Sequence, residues 1–233
     1  MNYLVCLLLI LINSLVYAEN YPVKLGTTQV IILKQAGRGK TFIHLHQNET
    51  TALQAAKTYI NREGGTLITL KHTGERNIVF YLKHVRYEFD PNRIFTDVGI
   101  KKTLSQFGPY SAAAHRETKK LANKIISLLP EGKIIAVHNN KDYSLKNYFP
   151  HHSLAADVKA LNYSPHINYR NFYFVTHEEE FKRLKKLKFN VALQASKATD
   201  DGSLSFYLGK KNYINIEAAY SALKQQLTMI DNA

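Results

Sequence analysis

The sequence predicts a three-layer α/β fold with a mixed, largely parallel central sheet and helices on both faces. Short β-branched and apolar runs, typical of strands, alternate with helical stretches along the chain, which is the pattern of a layered α/β domain. The chain has 233 residues, and the roughly 215 that follow a predicted export signal suffice for one catalytic domain, residues 19–233. No Pro-, Gly- or Ser-rich linker divides them.

The first half of the chain contributes strands and one helix. Val30–Leu33 and Thr41–Leu45 are predicted to pair as a hairpin across Gly37-Arg38-Gly39. A helix is predicted over Thr50–Asn61, because the pair Gly64-Gly65 that follows is suited to end it. Two further strands are expected at Thr66–Leu70 and Ile78–Leu82.

The second half continues the alternation. Ala112–Leu129 is predicted to be a helix that Pro130 ends, and Ala218–Met229 a last helix. Strands are expected at Ile134–Val137, Phe172–Val175, Val191–Leu193, Leu204–Leu208 and Tyr213–Ile216. In sheets of this kind, functional sites collect beyond the carboxyl ends of the strands.

Residues 1–18 have the features of a signal peptide, with an uncharged apolar run from Leu4 to Ile12 and a predicted cleavage site after Ala18. The run is too short to favour a stable transmembrane helix. We therefore expect an exported protein, periplasmic or secreted, although an uncleaved membrane anchor is the alternative. The only cysteine, Cys6, lies in this segment, so the mature chain can have no disulfide, cysteine nucleophile or thiolate metal ligand.

The formal net charge of +13 lies entirely outside residues 1–18. In an exported protein, such a charge suits anionic partners such as cell-wall polymer, anionic lipid or carboxylate-bearing substrates. Nucleic acid is not expected as a partner, because the basic residues are dispersed and export removes the usual target.

Two separated motifs predict a metal site. His46 and Glu49 are three residues apart where a strand passes into a helix, so their side chains can converge on one ion, and imidazole with carboxylate suits zinc. His138 follows a buried strand and would complete a two-His, one-carboxylate set with an open position for water. His44 could replace His46 if the strand register were shifted. A polar turn and a structural His would give the same pattern.

Two further features predict substrate chemistry. Arg86, Asn92 and Arg93 lie in one short segment and offer donors that suit a carboxylate; a salt-bridged turn in which Asp90 pairs with an arginine is the alternative. Glu217 ends an apolar strand, where a buried acid needs a partner and is placed for general acid–base catalysis. Its alternative role is to stabilise a helix N-terminus.

In order, these motifs resemble those of the zinc carboxypeptidase family, especially its aspartoacylase and succinylglutamate desuccinylase branch. The family pattern of His-x-x-Glu, Asp-x-Asn-Arg-x-Phe, a His after a strand and a late Glu matches His46–Glu49, Asp90–Phe95, His138 and Glu217. The resemblance covers roughly residues 28–220 and implies a zinc-carboxypeptidase-like, phosphorylase/hydrolase-like fold.

The resemblance also implies roles for individual residues. His46, Glu49 and His138 would bind one zinc ion, and Glu217 would activate a water molecule. Among the other residues, Asn92 and Arg93 would bind a substrate carboxylate. Arg86 would face the oxyanion, with Arg76 as its rival, and a tyrosine would line the pocket, either Tyr143, which we assign, or Tyr148 or Tyr207.

The function that follows is that of an exported metallohydrolase of the carboxypeptidase type, which cleaves an amide or peptide bond near a free carboxylate. Export and positive charge favour peptidoglycan stem peptides as substrates. One alternative is a deacylase of small N-acyl amino acids, as in the desuccinylase branch. The other is a relative that has lost activity and binds cell-wall peptide.

Overall fold

The computed structural model describes residues 18–233. The predicted signal peptide therefore lies outside the described residues except for Ala18, with which the first strand begins. In the part of the chain that the structure describes, no helix is long and apolar enough to cross a membrane.

Strands and helices alternate through most of the described chain. The strands are β1 (Ala18–Leu25), β2 (Thr28–Gln35), β3 (Thr41–His44), β4 (Thr66–Lys71), β5 (Ile78–Leu82), β6 (Val85–Phe89), β7 (Ile134–Asn140), β8 (Val158–Asn162), β9 (Phe172–Val175), β10 (Val191–Gln194) and β11 (Tyr213–Ala219). The helices are α1 (Thr50–Glu63), α2 (Asp97–Phe107), α3 (Ala112–Leu128), α4 (Glu178–Lys186), α5 (Leu204–Tyr207) and α6 (Leu223–Asp231).

A nine-stranded sheet in the order β1-β2-β4-β3-β7-β11-β9-β10-β8 organises the chain. Its centre, β4-β3-β7-β11, is parallel. Antiparallel pairs extend it on both sides, through β2 on one and β9 on the other. β5 and β6 form a separate hairpin. The predicted fold class, a mixed and largely parallel central sheet with helices, is confirmed.

Alternate residues of the central strands enter two apolar cores on opposite faces of the sheet. In β7, Ile135 and Val137 face a core that includes residues of α1, α4 and α6. Ile134 and Ala136 face a core that includes residues of α2 and α3. Because both faces are covered by helices, β7 and β11 are buried along their whole length.

The predicted hairpin of β2 and β3 is wrong. β4 lies between these strands, antiparallel to β2 and parallel to β3. The connection between β2 and β3 needs glycine for a different reason, because its backbone passes close to that of Gly65. A Cβ added to Gly37 would lie 2.5 Å from the carbonyl oxygen of Gly65.

The chain after β10 also differs from the prediction. Leu204–Tyr207 is a short helix and not part of a strand, because the Ser203 hydroxyl accepts a hydrogen bond from the Phe206 N–H and caps it. The last helix begins at Leu223, five residues later than predicted, since Ala218 and Ala219 continue β11 in register with β7.

Candidate metal centre

His46, Glu49 and His138 come together as predicted and form a group that could bind a metal ion. All three side chains are buried, with relative exposures of 1%, 1% and 2%. His46 Nδ1 lies 3.0 Å from Glu49 Oε1 and 3.2 Å from His138 Nδ1, and His138 Nδ1 lies 3.0 Å from Glu49 Oε2. Two imidazole nitrogens and one carboxylate thus converge from one turn and one strand.

These separations are short enough for one small ion to contact all three side chains. With metal–ligand bonds of about 2.0–2.1 Å, neighbouring ligand atoms of a tetrahedral zinc site are about 3.3 Å apart. The observed separations of 3.0 to 3.2 Å are close to that value. Nitrogen and carboxylate oxygen donors are also the ligands that zinc accepts in catalytic sites.

The turn after β3 directs Glu49 to the metal group. The Glu49 N–H donates to the His46 carbonyl at 3.0 Å, which closes a turn and brings the two side chains together. Glu49 occupies the N-cap position of α1, yet its side chain makes no capping hydrogen bond. Asn139 serves the helix instead, because its Oδ1 accepts from the Ala52 N–H at 2.8 Å.

Asp90 contacts the metal group, and the sequence did not indicate this contact. Its Oδ1 lies 2.7 Å from His46 Nε2, on the side of the ring opposite the metal group. A carboxylate in this position fixes the orientation of a metal-binding imidazole and increases its basicity. Asp90 also accepts the Asn92 N–H at 2.7 Å and so joins the metal group to the Asn92-Arg93 segment.

Opposite charges inside the metal group shift the pKa values of His46 and Glu49. Burial alone would lower the pKa of His46, but the carboxylates of Glu49 and Asp90 outweigh it and raise that pKa to about 9. Burial likewise opposes ionisation of Glu49, but His46 and His138 hold its pKa well below the usual range. An ion that binds here must therefore displace a proton from His46.

Of the two candidate arginines, Arg76 reaches the metal group and Arg86 does not. Arg76 Nη1 donates to Glu49 Oε1 at 2.5 Å, and Nη2 lies 3.4 Å from Asp90 Oδ2. Arg86, on β6, pairs with Glu88 and is outside the cavity that the metal group lines. The spacing in sequence favoured Arg86, but the loop between β4 and β5 carries Arg76 to the site.

His44 is not a rival ligand in this arrangement. Its Nδ1 lies 2.9 Å from Thr69 Oγ1, and its Nε2 lies 3.0 Å from the Glu49 carbonyl oxygen. Burial lowers the pKa of its imidazole to about 4, so the ring is neutral near pH 7. His44 therefore supports the turn that carries Glu49.

Glu217 lies inside β11, beyond the predicted strand end, and is paired in register with His138 on β7. Its side chain is 6% exposed and lines the same cavity as the metal group. Asn140 Nδ2 donates to Oε2 at 3.0 Å, and Asn215 Nδ2 donates to Oε1 at 3.1 Å. Both carboxylate oxygens thus have a fixed donor.

The predicted carboxylate-binding residues, Asn92 and Arg93, also line this cavity of about 570 Å³. Arg93 Nη1 donates to the Asn92 carbonyl at 2.9 Å and lies 3.4 Å from Asp201 Oδ2. Asn92 Oδ1 accepts the Leu204 N–H at 3.1 Å, so part of its side chain holds the neighbouring loop. The remaining guanidinium nitrogens of Arg93 can serve a ligand.

Tyr143 and Tyr148 both line the cavity and are hydrogen-bonded to each other through their hydroxyls. Burial raises the pKa of the Tyr143 hydroxyl well above its ordinary value, so it remains a proton donor. Tyr207 packs on Phe95, with 6.3 Å between ring centroids, and does not line the cavity. The choice among the three tyrosines therefore narrows to the first two.

The sequence matches no model of a known protein family. No curated protein matches it either. Among solved structures, the chain is similar to the crystal structure of gene product Atu2144 from Agrobacterium tumefaciens, with 10% sequence identity, a TM-score of 0.41, and coverage of 84% of this chain and 87% of that chain. A likeness of this extent carries no information on function.

Proposed function

We propose that the protein is a zinc-dependent hydrolase of the carboxypeptidase type that cleaves an amide or peptide bond beside a free carboxylate. One observation carries the proposal: the buried group of His46, Glu49 and His138 opens on a cavity that also contains Glu217 and Arg93. A metal group, an acid and a carboxylate-binding arginine in one cavity are the parts that such a reaction needs.

Zinc is the ion that we propose for the site. The two imidazoles and one carboxylate suit it, they are close enough together to share one small ion, and Asp90 supplies the outer carboxylate that would orient His46. When bound, zinc would act as a Lewis acid on the scissile carbonyl and lower the pKa of water.

Glu217 is the proposed general base. Its in-register position beside His138 places it next to the metal group, and the amides of Asn140 and Asn215 fix both carboxylate oxygens. In this position Glu217 would accept a proton from the attacking water and return it to the leaving nitrogen.

The remaining proposed roles, binding of the substrate carboxylate and stabilisation of the oxyanion, fall to two arginines. Arg93, which lines the cavity, would bind the terminal carboxylate of the substrate together with Asn92. Arg76 replaces Arg86 in the proposed oxyanion role, because its guanidinium lies at the metal group, where negative charge would develop on the carbonyl oxygen. Tyr143, which lines the cavity, would contribute a hydrogen bond to the substrate.

The proposed substrates are peptidoglycan stem peptides, in keeping with the predicted export and the charge of +13.

Metal analysis of the purified protein tests the proposal first, with about one equivalent of zinc expected. Incubation with muropeptides, other peptides and N-acyl amino acids then tests the reaction by mass spectrometry. Loss of one terminal residue supports carboxypeptidase activity, whereas release of acid from acyl amino acids alone would favour the deacylase. A protein that binds no zinc and cleaves none of these would contradict the proposal.

A further inference from the structure

A second pocket, of about 470 Å³, adjoins the metal-site cavity and shares Lys141 and Asp142 with it. Its walls are two segments of chain, residues 141–146 after β7 and residues 165–170 before β9. We call it the basic pocket, because Lys141, Lys146 and Arg170 line it and Asp142 is the one acid that does.

Some cations of this surface are engaged in ion pairs, whereas the three of the basic pocket are not, within the part of the chain that the structure describes. Lys159, for example, lies 2.9 Å from Glu178, and Lys119 lies 2.8 Å from Asp97. Within residues 18–233, by contrast, no carboxylate lies within salt-bridge distance of Lys141, Lys146 or Arg170. These three charges are therefore available to an anionic ligand.

The basic pocket is also held in place by hydrogen bonds. The Leu145 N–H donates to the Tyr169 carbonyl at 2.9 Å, and Arg170 Nη1 donates to the Lys141 carbonyl at 3.1 Å, so the two segments are joined twice. The Lys146 ammonium lies over the Tyr169 ring, 5.1 Å from its centroid, which restrains its position.

A side chain of the metal-site cavity connects the two pockets. Asn140 Nδ2 donates to the Arg170 carbonyl at 2.9 Å and also to Glu217 Oε2 at 3.0 Å. One amide thus fixes the backbone of the basic pocket and the proposed general base together. The distance between the reacting bond and the basic pocket is therefore set by the fold.

We propose that the basic pocket binds a second anionic group of the substrate, a carboxylate on the part of the chain that precedes the cleaved bond. The inference rests on the proposed function, in which Arg93 binds the terminal carboxylate. Arg93 lines only the metal-site cavity, whereas Lys146 and Arg170 line only the basic pocket, so the anionic group that they would bind is a different one from the terminal carboxylate. The substrate class is then an acidic peptide with at least two separated carboxylates.

Paired peptides test the inference by binding, independently of turnover. The peptides are identical apart from Glu, Gln or Lys at each position before the cleaved residue in turn. Their affinities are measured by titration calorimetry at low ionic strength on the zinc-loaded full chain carrying Glu217→Gln. At one position, the Glu peptide is expected to bind about three- to tenfold more tightly than its Gln partner, as suits a partly exposed charge contact.

Two substitutions at Lys146 and one control complete the test. Lys146→Gln should remove most of the preference for the Glu peptide, and Lys146→Glu should turn it into a preference for the Lys peptide. Lys186→Gln, the same change on exposed α4, should leave it intact. Equal affinities at every position, or a preference for Glu that Lys146→Glu preserves, would overturn the inference even if the protein hydrolyses peptides. If the preference is found but the unsubstituted protein cleaves nothing, the basic pocket stands and the proposed hydrolase fails.

Discussion

Glu217 and His138 occupy paired positions on the adjacent parallel strands β11 and β7. Paired residues of neighbouring strands point to the same face of a sheet, and so do residues two apart on one strand. His138, Asn140, Asn215 and Glu217 therefore share a face, the one toward α2 and α3. The backbone register alone thus places an acid beside a metal-binding imidazole and two amides around that acid.

The first prediction concerns this acid. Glu217→Gln keeps the size of the side chain and removes its ability to accept a proton. We expect kcat to fall by about 10²–10⁴-fold, the usual contribution of general acid–base catalysis. Zinc content should be unchanged, because Glu217 is outside the three-residue metal group. Steady-state kinetics on a cleaved peptide, with metal analysis of the same samples, make the measurement; full activity of this variant would remove Glu217 from the mechanism.

The second prediction concerns the metal. His138→Ala removes one of three converging donors, so we expect loss of stoichiometric zinc. Zinc at about 100 times its dissociation constant stabilises a protein by about 2.7 kcal/mol, which thermal denaturation detects. The unsubstituted protein should therefore show a Tm that rises with zinc and falls with a chelator, and His138→Ala should show neither effect. His152→Ala, on an exposed histidine, is the matched control.

The third prediction concerns Asp90. Asp90→Asn keeps the shape but replaces the carboxylate that contacts His46 Nε2 by a neutral amide. We expect zinc affinity to fall by about 10- to 100-fold, the usual effect of an altered outer partner. Competition with a chromogenic chelator measures the change. If affinity were unchanged, Asp90 would serve only to hold the Asn92 N–H and the local turn.

The parts of this site that sequence could predict are the local ones. His46 and Glu49 lie on one turn, so their spacing of three residues is enough to predict that their side chains meet. The β11 strand was predictable from its apolar residues. Asn215 and Glu217 are two apart on that strand, a spacing that indicates a shared polar face. This signal could have identified Asn215.

The parts that could not be predicted depend on how distant segments meet. Arg76 and Asp90 contact the metal group because the loop between β4 and β5 and the chain after β6 both reach the end of β3. The spacing in sequence favoured Arg86, because no local pattern indicates that the loop with Arg76 reaches the metal group. The strand predicted at Leu204–Leu208 failed because Ser203 caps a short helix there, a local hydrogen bond that outweighs strand propensity.

The fourth prediction concerns the loop that supports Asn92 and Arg93. Gly202 has a φ of +75°, and a Cβ there would lie 2.4 Å from Gly99 Cα and 2.5 Å from the Arg93 carbonyl oxygen. We expect Gly202→Ala to lower the free energy of unfolding by about 3 kcal/mol or more, since both backbone conformation and packing oppose it.

Gly132 provides the control for Gly202. Its φ is +98°, but no atom lies within 4 Å of an added Cβ, so Gly132→Ala isolates the conformational term. That variant should lose about 1 kcal/mol. Denaturant unfolding of both variants makes the comparison, and equal losses would show that the contact of Gly202 with Gly99 has no energetic weight.

The fifth prediction separates the two arginines. Arg76→Ala removes a guanidinium that contacts Glu49, whereas Arg86→Ala removes one that pairs with Glu88 on the separate hairpin. If Arg76 stabilises the oxyanion, its loss should lower kcat by about 10²–10³-fold, as for other oxyanion donors. Arg86→Ala should stay within about twofold of the unsubstituted protein, because a half-exposed ion pair contributes little. Zinc content measured on both variants distinguishes a catalytic effect from loss of metal. A larger defect in Arg86→Ala would instead favour Arg86 as the residue that faces the oxyanion. The β5–β6 hairpin would then have to move toward the metal group when substrate binds.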